Sequence, residues 1–546
     1  MFGLKSVYFY LVAYQITLIK FFKKIYFSSK NYNKSLETLT PKQVYYSPNP
    51  FLLSIITTYK KQSFKISEID PNVFWLEHKK NNSKEFHNFF WLTLLDRKTD
   101  HKKLKKIIYI WMLKNSKYKK NIWDTSTLSA RVISWILNID IILNNSTFDF
   151  RKNFLGCIVA QTNHLKRNIR FENDYTKKLE ILTSIILSGL VFKEYEDNYE
   201  LGIGELETLV KNFFNVEGFP LSRNPNDLIF FSKYLILCRE VIKDSQRYVP
   251  EFLEDIIKKN LVCLNFIKTP NAQLPLFNGS TITDLSQIEK YLENAKHKNS
   301  SNKNIGGLFK IKHRAHIVFM DIEGPPQKNL SKCYQSGPLS FEYFLDGLKI
   351  ISNSGFGVNI SKKAETLSKL TACQSTLTLN DTSVTKFEKN ELINKVFGNS
   401  IKNSFKFYDL ETKNENSLIG CSSTNNGYEK NFGCSHRREI YIDKVSDCLK
   451  GIDHIFKKKD GYPVRYSFRF HINPKLAAVK TMGGNGALIQ ISKNKSLLFT
   501  IKDEKIEIEK SIFLGEKKII DSACITIAGN LVNKNKSFIW EIRRNI

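Results

Sequence analysis

The chain has 546 residues, too many for one ordinary domain, and its 42% apolar and 13% aromatic content supports sizeable cores and argues against global disorder. Its formal charge of +30 points to an acidic partner, whether nucleic acid, anionic lipid or acidic polysaccharide; the alternative is a composition rich in Lys, Asn and Ile throughout. Nine scattered cysteines without a CxxC argue against a disulfide framework and a structural zinc ribbon.

The N-terminus, MFGLKSVYFYLVAYQITLIKFFKK, places thirteen uncharged residues, Val7 to Ile19, before a basic cluster. That is short of the roughly 20 apolar residues of a spanning helix, and no small-residue cleavage site follows. Residues 1–50 are read as a separate segment whose first helix is buried, the alternative being peripheral membrane contact through residues 1–24. The basic runs HKKLKK (101–106) and KNSKYKK (114–120) read as solvated helix faces. No zinc-finger, RRM or basic-zipper pattern accompanies them, so no specific nucleic acid is expected.

Residues 51–293 read as all-α. Leu206, Leu209, Val210, Phe213 and Phe214 fall on one helical face, and Phe252, Leu253, Ile256, Ile257, Leu261 and Leu264 form a stripe behind Pro250 at a first helical position. Arg131–Leu143 (RVISWILNIDIIL) is apolar almost all round, as in a helix buried between others. The polar stretch 294–304, NAKHKNSSNKN, reads as a linker. From 305 to 546 the period becomes two: Tyr466, Phe468, Phe470 and Ile472 face one way and Ser467, Arg469 and His471 the other, while Leu339, Phe341 and Tyr343 alternate with Ser340 and Glu342. Such strands predict a large antiparallel β-sandwich after the helical half.

Within these halves lie SARVISWIL (129–137), EGFPLSRNP (217–225), LPLFNG (274–279), DIEGPP (321–326), QSGPLSFEYFLDGLKIISNSG (335–355), TACQSTLTLNDTS (371–383), HRREIYID (436–443), LKGIDHI (449–455) and RFHINP (469–474). In this order and spacing the set resembles the heparinase II/III-like family of polysaccharide lyases, most closely its bacterial branch of uncertain substrate, from about residue 50 to the C-terminus. The resemblance implies an α+β multidomain protein: an N-terminal (α/α) toroid, a C-terminal antiparallel β-sandwich, and substrate held in the cleft between them. It also implies β-elimination at a uronic acid, in which the carboxylate is neutralised, a base removes the C5 proton and an acid protonates the leaving oxygen.

Members of the family commonly use an Asn for the carboxylate and Tyr and His for proton transfer, and several hold zinc through His, Asp and His in the sandwich. Here those metal positions match Gln335, Asn353 and Gln374, and Cys333 stands at the other histidine of the H-x-H pair. Neutral amides are poor zinc ligands but can donate and accept hydrogen bonds at once. A neutral polar network in place of the metal, and no cofactor, is therefore expected. Gln335 and Gln374 are also candidates for substrate contact. Asn173 is the candidate for carboxylate binding, the alternative being a helix-capping role. Asp227 stands near the position of the family tyrosine, which leaves Tyr175 or Tyr334 as substitutes. His436 and His471 are candidate bases. Arg437, Arg438 and Arg469 carry guanidinium forks suited to carboxylate or sulfate. The alternative for each is a structural or solvated strand residue.

Three functions remain in play: a lyase of a uronate-containing acidic glycan with an altered site, a non-catalytic glycan-binding or envelope-assembly protein, and a nucleic-acid or anionic-membrane binder. The resemblance places the protein at the cell envelope or in the periplasm. The oligomeric state is not legible.

Overall fold

A computed structural model describes residues 4–57, 70–77, 83–95, 100–295, 303–397, 401–458, 462–532 and 535–545. The chain divides into two compact units: Met1–Gly218 with Ile229–Leu261 and Gln287–Glu293, and Phe219–Leu228 with Val262–Ser286 and Asn294–Ile546. Most of the expected linker, residues 296–302, lies outside the described residues.

The first unit is helical. Its opening helix, α1 (Leu4–Phe27), corrects the expectation of a buried segment: Leu11, Tyr14, Phe22 and Ile25 are exposed, and Ala13 is its fully covered residue. The longer helices that follow are His101–Asn115, Thr125–Leu137, Phe148–Asn168, Tyr175–Val191, Asp197–Phe213, Pro225–Asp244 and Glu251–Ile267, the last two continuing into the second unit's segments. The 3.6-residue spacing delivers the predicted stripes: Leu206, Leu209, Val210 and Phe213 are buried, as are Leu253, Ile256, Ile257, Leu261 and Leu264. Phe214, also buried, lies one residue past its helix, and Pro250 sits immediately before the first helical residue. The run 131–143 is two helices rather than one. The first ends at Leu137, where the Asn138 amide donates to the Ser134 carbonyl, and Ile139–Leu143 forms the second.

Arg131 is fully buried in this unit, and among the described residues no carboxylate pairs with it. Its Nε donates to Gln161 Oε1 (2.7 Å), its Nη1 to the carbonyls of His87 (2.8 Å) and Ile122 (3.2 Å), and its guanidinium covers the Trp111 ring. Burial lowers its pKa to about 9, so it stays charged at neutral pH, solvated by oriented amides and an aromatic face.

Glu180 is a second buried ionisable group. Burial pushes its carboxyl from the ordinary 4.5 up to about 7, and Tyr234 donates to Oε1 at 3.4 Å. Because the folded value is raised, this glutamate supports the fold fully below its unfolded value, and the contribution is lost as pH rises through the folded one. Glu180→Gln is expected to flatten stability between those limits and to raise it at about pH 8 by about 1–3 kcal/mol. Urea unfolding across pH checks this; a wild type that grows more stable relative to the variant with rising pH would contradict it.

The second unit holds two antiparallel sheets. One runs in the order Asn304–Ile305, Leu308–His313, His316–Asp321, Phe341–Leu345, Leu348–Ser352, Val464–Ile472, Ile520–Leu531 and Glu507–Phe513, with Leu377–Leu379 also pairing Val464–Ile472. The other runs Ala477–Lys480, Gly486–Ser492, Lys495–Ile501, Asn535–Asn545, Cys448–Lys457, Cys434–Asp443, Leu418–Asn425 and Phe407–Asn414. Phe341 and Phe470 of the first meet Trp540 of the second at ring distances of 5.5 and 5.1 Å, inside one shared core. The sheets thus pack face to face as a sandwich. Tyr466, Phe468, Phe470 and Ile472 are buried as their alternation requires. Ser340, Glu342, Ser467 and His471, on the alternate positions, are buried as well, because connecting segments cover that face of the sheet.

Candidate functional site

The three amides at the expected metal positions are 2%, 0% and 1% exposed for Gln335, Asn353 and Gln374. Gln335 Oε1 accepts from the Gly279 amide (2.9 Å), while its Nε2 donates to the carbonyls of Gly355 (3.1 Å) and Ser368 (2.8 Å). Gln374 Nε2 donates to the same Ser368 carbonyl at 3.0 Å. Asn353 Oδ1 accepts from the amide of Ser375, the residue after Gln374, at 2.9 Å, and its Nδ2 donates to the Leu276 carbonyl at 3.2 Å. The trio therefore shares one buried neighbourhood, but its hydrogen bonds run to main chain rather than between the amides, which corrects the mutual network expected from sequence. Gly279 is required at this contact: its φ is +98°, and a Cβ there would lie 2.5 Å from Cys333 Cβ.

Zinc takes thiolate, imidazole or carboxylate donors. The residues present are neutral carboxamides already spent on backbone groups, and they do not fit a zinc ion. Among the described residues no cluster of three or more His, Cys, Asp or Glu could hold a metal.

Glu342 organises the adjoining wall, and its role was missed from sequence. Fully buried, it accepts from Lys349 Nζ (2.8 Å), the amides of Leu276 (3.1 Å) and Asn353 (3.2 Å), and Ser352 Oγ (3.3 Å). Its place two residues after Ser340 in LSFE marked it only as the polar side of an alternating strand.

The histidines and arginines proposed for proton transfer and anion binding in the sandwich carry structural bonds. His436 lies 2.7 Å from Asp453 Oδ1 through Nε2, and burial keeps its imidazole below the ordinary histidine range despite that carboxylate. A neutral ring donating Nε2–H to Asp453 satisfies both observations. Arg438 is completely buried and grips Asp453 with Nε (2.7 Å) and Nη2 (3.1 Å), while Nη1 donates to the carbonyls of Leu339 and Ser375, both at 2.8 Å. The Trp540 indole donates to Asp453 Oδ2 at 2.8 Å. His471 must donate Nε2–H to the Ala372 carbonyl (2.9 Å), so its Nδ1 accepts from Ser511 (2.9 Å); burial first, and Arg469 next, lower it to about 4. Its lone pair is thus occupied. Tyr334 is buried, and burial raises its hydroxyl above the usual phenol range.

Arg437, half-buried, pairs with Glu411 (2.8 Å) and Glu439 (3.2 Å), and Arg469 donates to Thr378 and faces Asp381. None of His436, His471, Tyr334 or Arg438 is open to a polymer in this conformation. Asp453 and Ser375, the hubs of the arrangement, were also missed; they lie in LKGIDHI and TACQST, whose polar residues could have been paired with HRR. A further buried pair, Arg223 Nη2 with Asp321 Oδ1 at 2.6 Å, joins EGFPLSRNP to DIEGPP, and Arg223 Nη1 donates to the carbonyls of Glu323 and Gly324, both at 2.8 Å.

In the helical unit Asn173 is exposed, and its neighbour Asp174, not Asn173, caps Tyr175–Val191 by accepting from the Thr176 amide at 3.1 Å. Tyr175 stacks on Phe213 (4.9 Å, 24°) at a half-open hollow of about 110 Å³ that it lines with Arg170, Lys178, Glu205 and Asn212. An aromatic face, two cations, a carboxylate and an amide form a small surface able to meet one anionic sugar ring.

The two units give the fold: a helical domain and a two-sheet antiparallel sandwich. Residues 296–541, the sandwich half, match the family described as heparinase II/III-like, C-terminal. Among solved structures it is similar to a heparan sulfate lyase HepC mutant from Pedobacter heparinus, with a TM-score of 0.62 at 15% identity over 91% of this chain and 82% of that one. It is likewise similar to heparinase III, with a TM-score of 0.63 at 14% identity over 81% and 73% of the two chains. A heparinase III gene product gives a TM-score of 0.63 at 14% identity over 90% and 83%. No curated protein matches the chain by sequence.

Proposed function

We propose that this protein binds an acidic, uronate-containing polysaccharide on the lyase scaffold, at the cell envelope, without metal-assisted elimination in the sandwich. The observation that carries the reading is the commitment of Gln335, Asn353 and Gln374 to main-chain partners. The family supplies the substrate class: similar structures bear the names heparinase III and heparan sulfate lyase. The net charge of +30 favours a polyanion. A second reading, β-elimination by a metal-independent route, is favoured by the hollow where Tyr175 stands beside Arg170 and Lys178. There a phenol would move the proton and the cations would face the uronate carboxylate.

A low-salt screen against uronate polysaccharides, heparan sulfate among them, separates the two. Binding is followed by calorimetry and product by the ultraviolet absorbance of the unsaturated uronate, with zinc and with chelator. Saturable binding without product under either condition is expected. Product that survives chelation and disappears in Tyr175→Phe would establish the second reading; product that requires zinc would overturn both.

A further inference from the structure

The outward face of α1 is a separate feature that glycan binding does not use. Leu11, Tyr14, Leu18, Phe22 and Ile25 recur at helical spacing along it, and Leu11 and Phe22 are 58% and 63% exposed. The helix is nonetheless anchored. Ala13 is fully covered, and Phe27 at its end packs on Tyr32, Tyr118 and His164 with ring centroids 4.7, 5.2 and 5.0 Å away. An apolar face of this length, held outward on a fixed helix, marks an interaction surface.

We infer that α1 lies on an anionic lipid surface, with its apolar face among the acyl chains and its aromatic rings at headgroup level. Residues 1–36 contain six lysines and no Asp or Glu, so the segment complements an anionic headgroup layer. A second copy of the chain would instead set these six lysines against each other. Spanning is not the mode: among the described residues no helix is long and apolar enough to cross a membrane. Tyr14 and Phe22, with Tyr8 and Tyr26 beside them, are exposed, and such rings favour the membrane–water boundary.

The test is flotation of the full-length protein with vesicles of phosphatidylglycerol and phosphatidylcholine, and of phosphatidylcholine alone. The variant replaces Leu11→Ser, Leu18→Ser and Phe22→Ser together, which leaves the charge of +30 unchanged. Wild type is expected to float with the anionic vesicles, and the triple variant to bind at least about tenfold less. Lys20→Gln with Lys24→Gln is expected to reduce the preference for anionic over neutral vesicles. Circular dichroism confirms that the variants fold. The inference fails if the triple variant floats as well as wild type, since the general basic charge would then suffice. It also fails if wild type does not float, or if sedimentation shows a dimer that the triple variant abolishes.

Discussion

Asp453→Asn is expected to lower the stability of the sandwich by about 3–5 kcal/mol, because it leaves the guanidinium of Arg438 buried without its counter-charge. That is a large part of the roughly 5–15 kcal/mol that holds a domain folded. Four motifs meet at this carboxylate: Asp453 itself in LKGIDHI, His436 and Arg438 in HRREIYID, and, through Arg438, Leu339 and Ser375 in the two preceding motifs. Burial acts to raise the Asp453 carboxyl, but the charge of Arg438 and the hydrogen bonds from His436 and Arg438 outweigh it and hold it well below the ordinary 3.8. With a depressed folded value, the contribution is complete above that ordinary value and is lost as pH falls below it. Urea unfolding followed by far-ultraviolet circular dichroism measures the difference. A loss under about 1 kcal/mol near neutral pH would show that the pair is not the sandwich's keystone.

Asn353→Asp directly tests the position that the resemblance matches to a metal-binding aspartate, and is expected to cost about 2–4 kcal/mol near neutral pH. The new carboxylate would lose the donor that now reaches the Leu276 carbonyl and would sit beside Glu342, which already accepts from the Asn353 amide. Its pKa would rise in the fold, so the destabilisation should ease as pH falls and the group takes up a proton. Zinc should not restore the loss, since Gln335 and Gln374 remain poor ligands. A variant as stable as wild type, or one that zinc stabilises, would show that the position still accepts a metal-site carboxylate.

The sequence by itself determined the division into a helical half and a sandwich half. Periods of 3.6 and two are local consequences of backbone geometry, and Leu206 to Phe213 and Tyr466 to Ile472 carry them without reference to distant residues. It also pointed to the family whose model matches residues 296–541, because ordered motifs survive where their residues hold the fold: Arg223 meets Asp321, and Arg438 meets Asp453. That Gln335, Asn353 and Gln374 are neutral amides, with donor chemistry unsuited to zinc, was likewise legible, since donor chemistry is a property of the residue.

What the tertiary structure decided was exposure and partnership. Nothing in the alternation around His436, Arg438 and His471 distinguishes a side chain facing substrate from one sealed under a connecting segment, because both are polar positions on a strand. Only the packing of the sheets and their connections shows that these groups spend their hydrogen bonds inside the protein. The same holds for α1, whose apolar residues suit a core and a lipid surface equally. The burial of Ala13 and the long-range contacts of Phe27 decide which face remains outside, and hydrophobicity alone carries no direction.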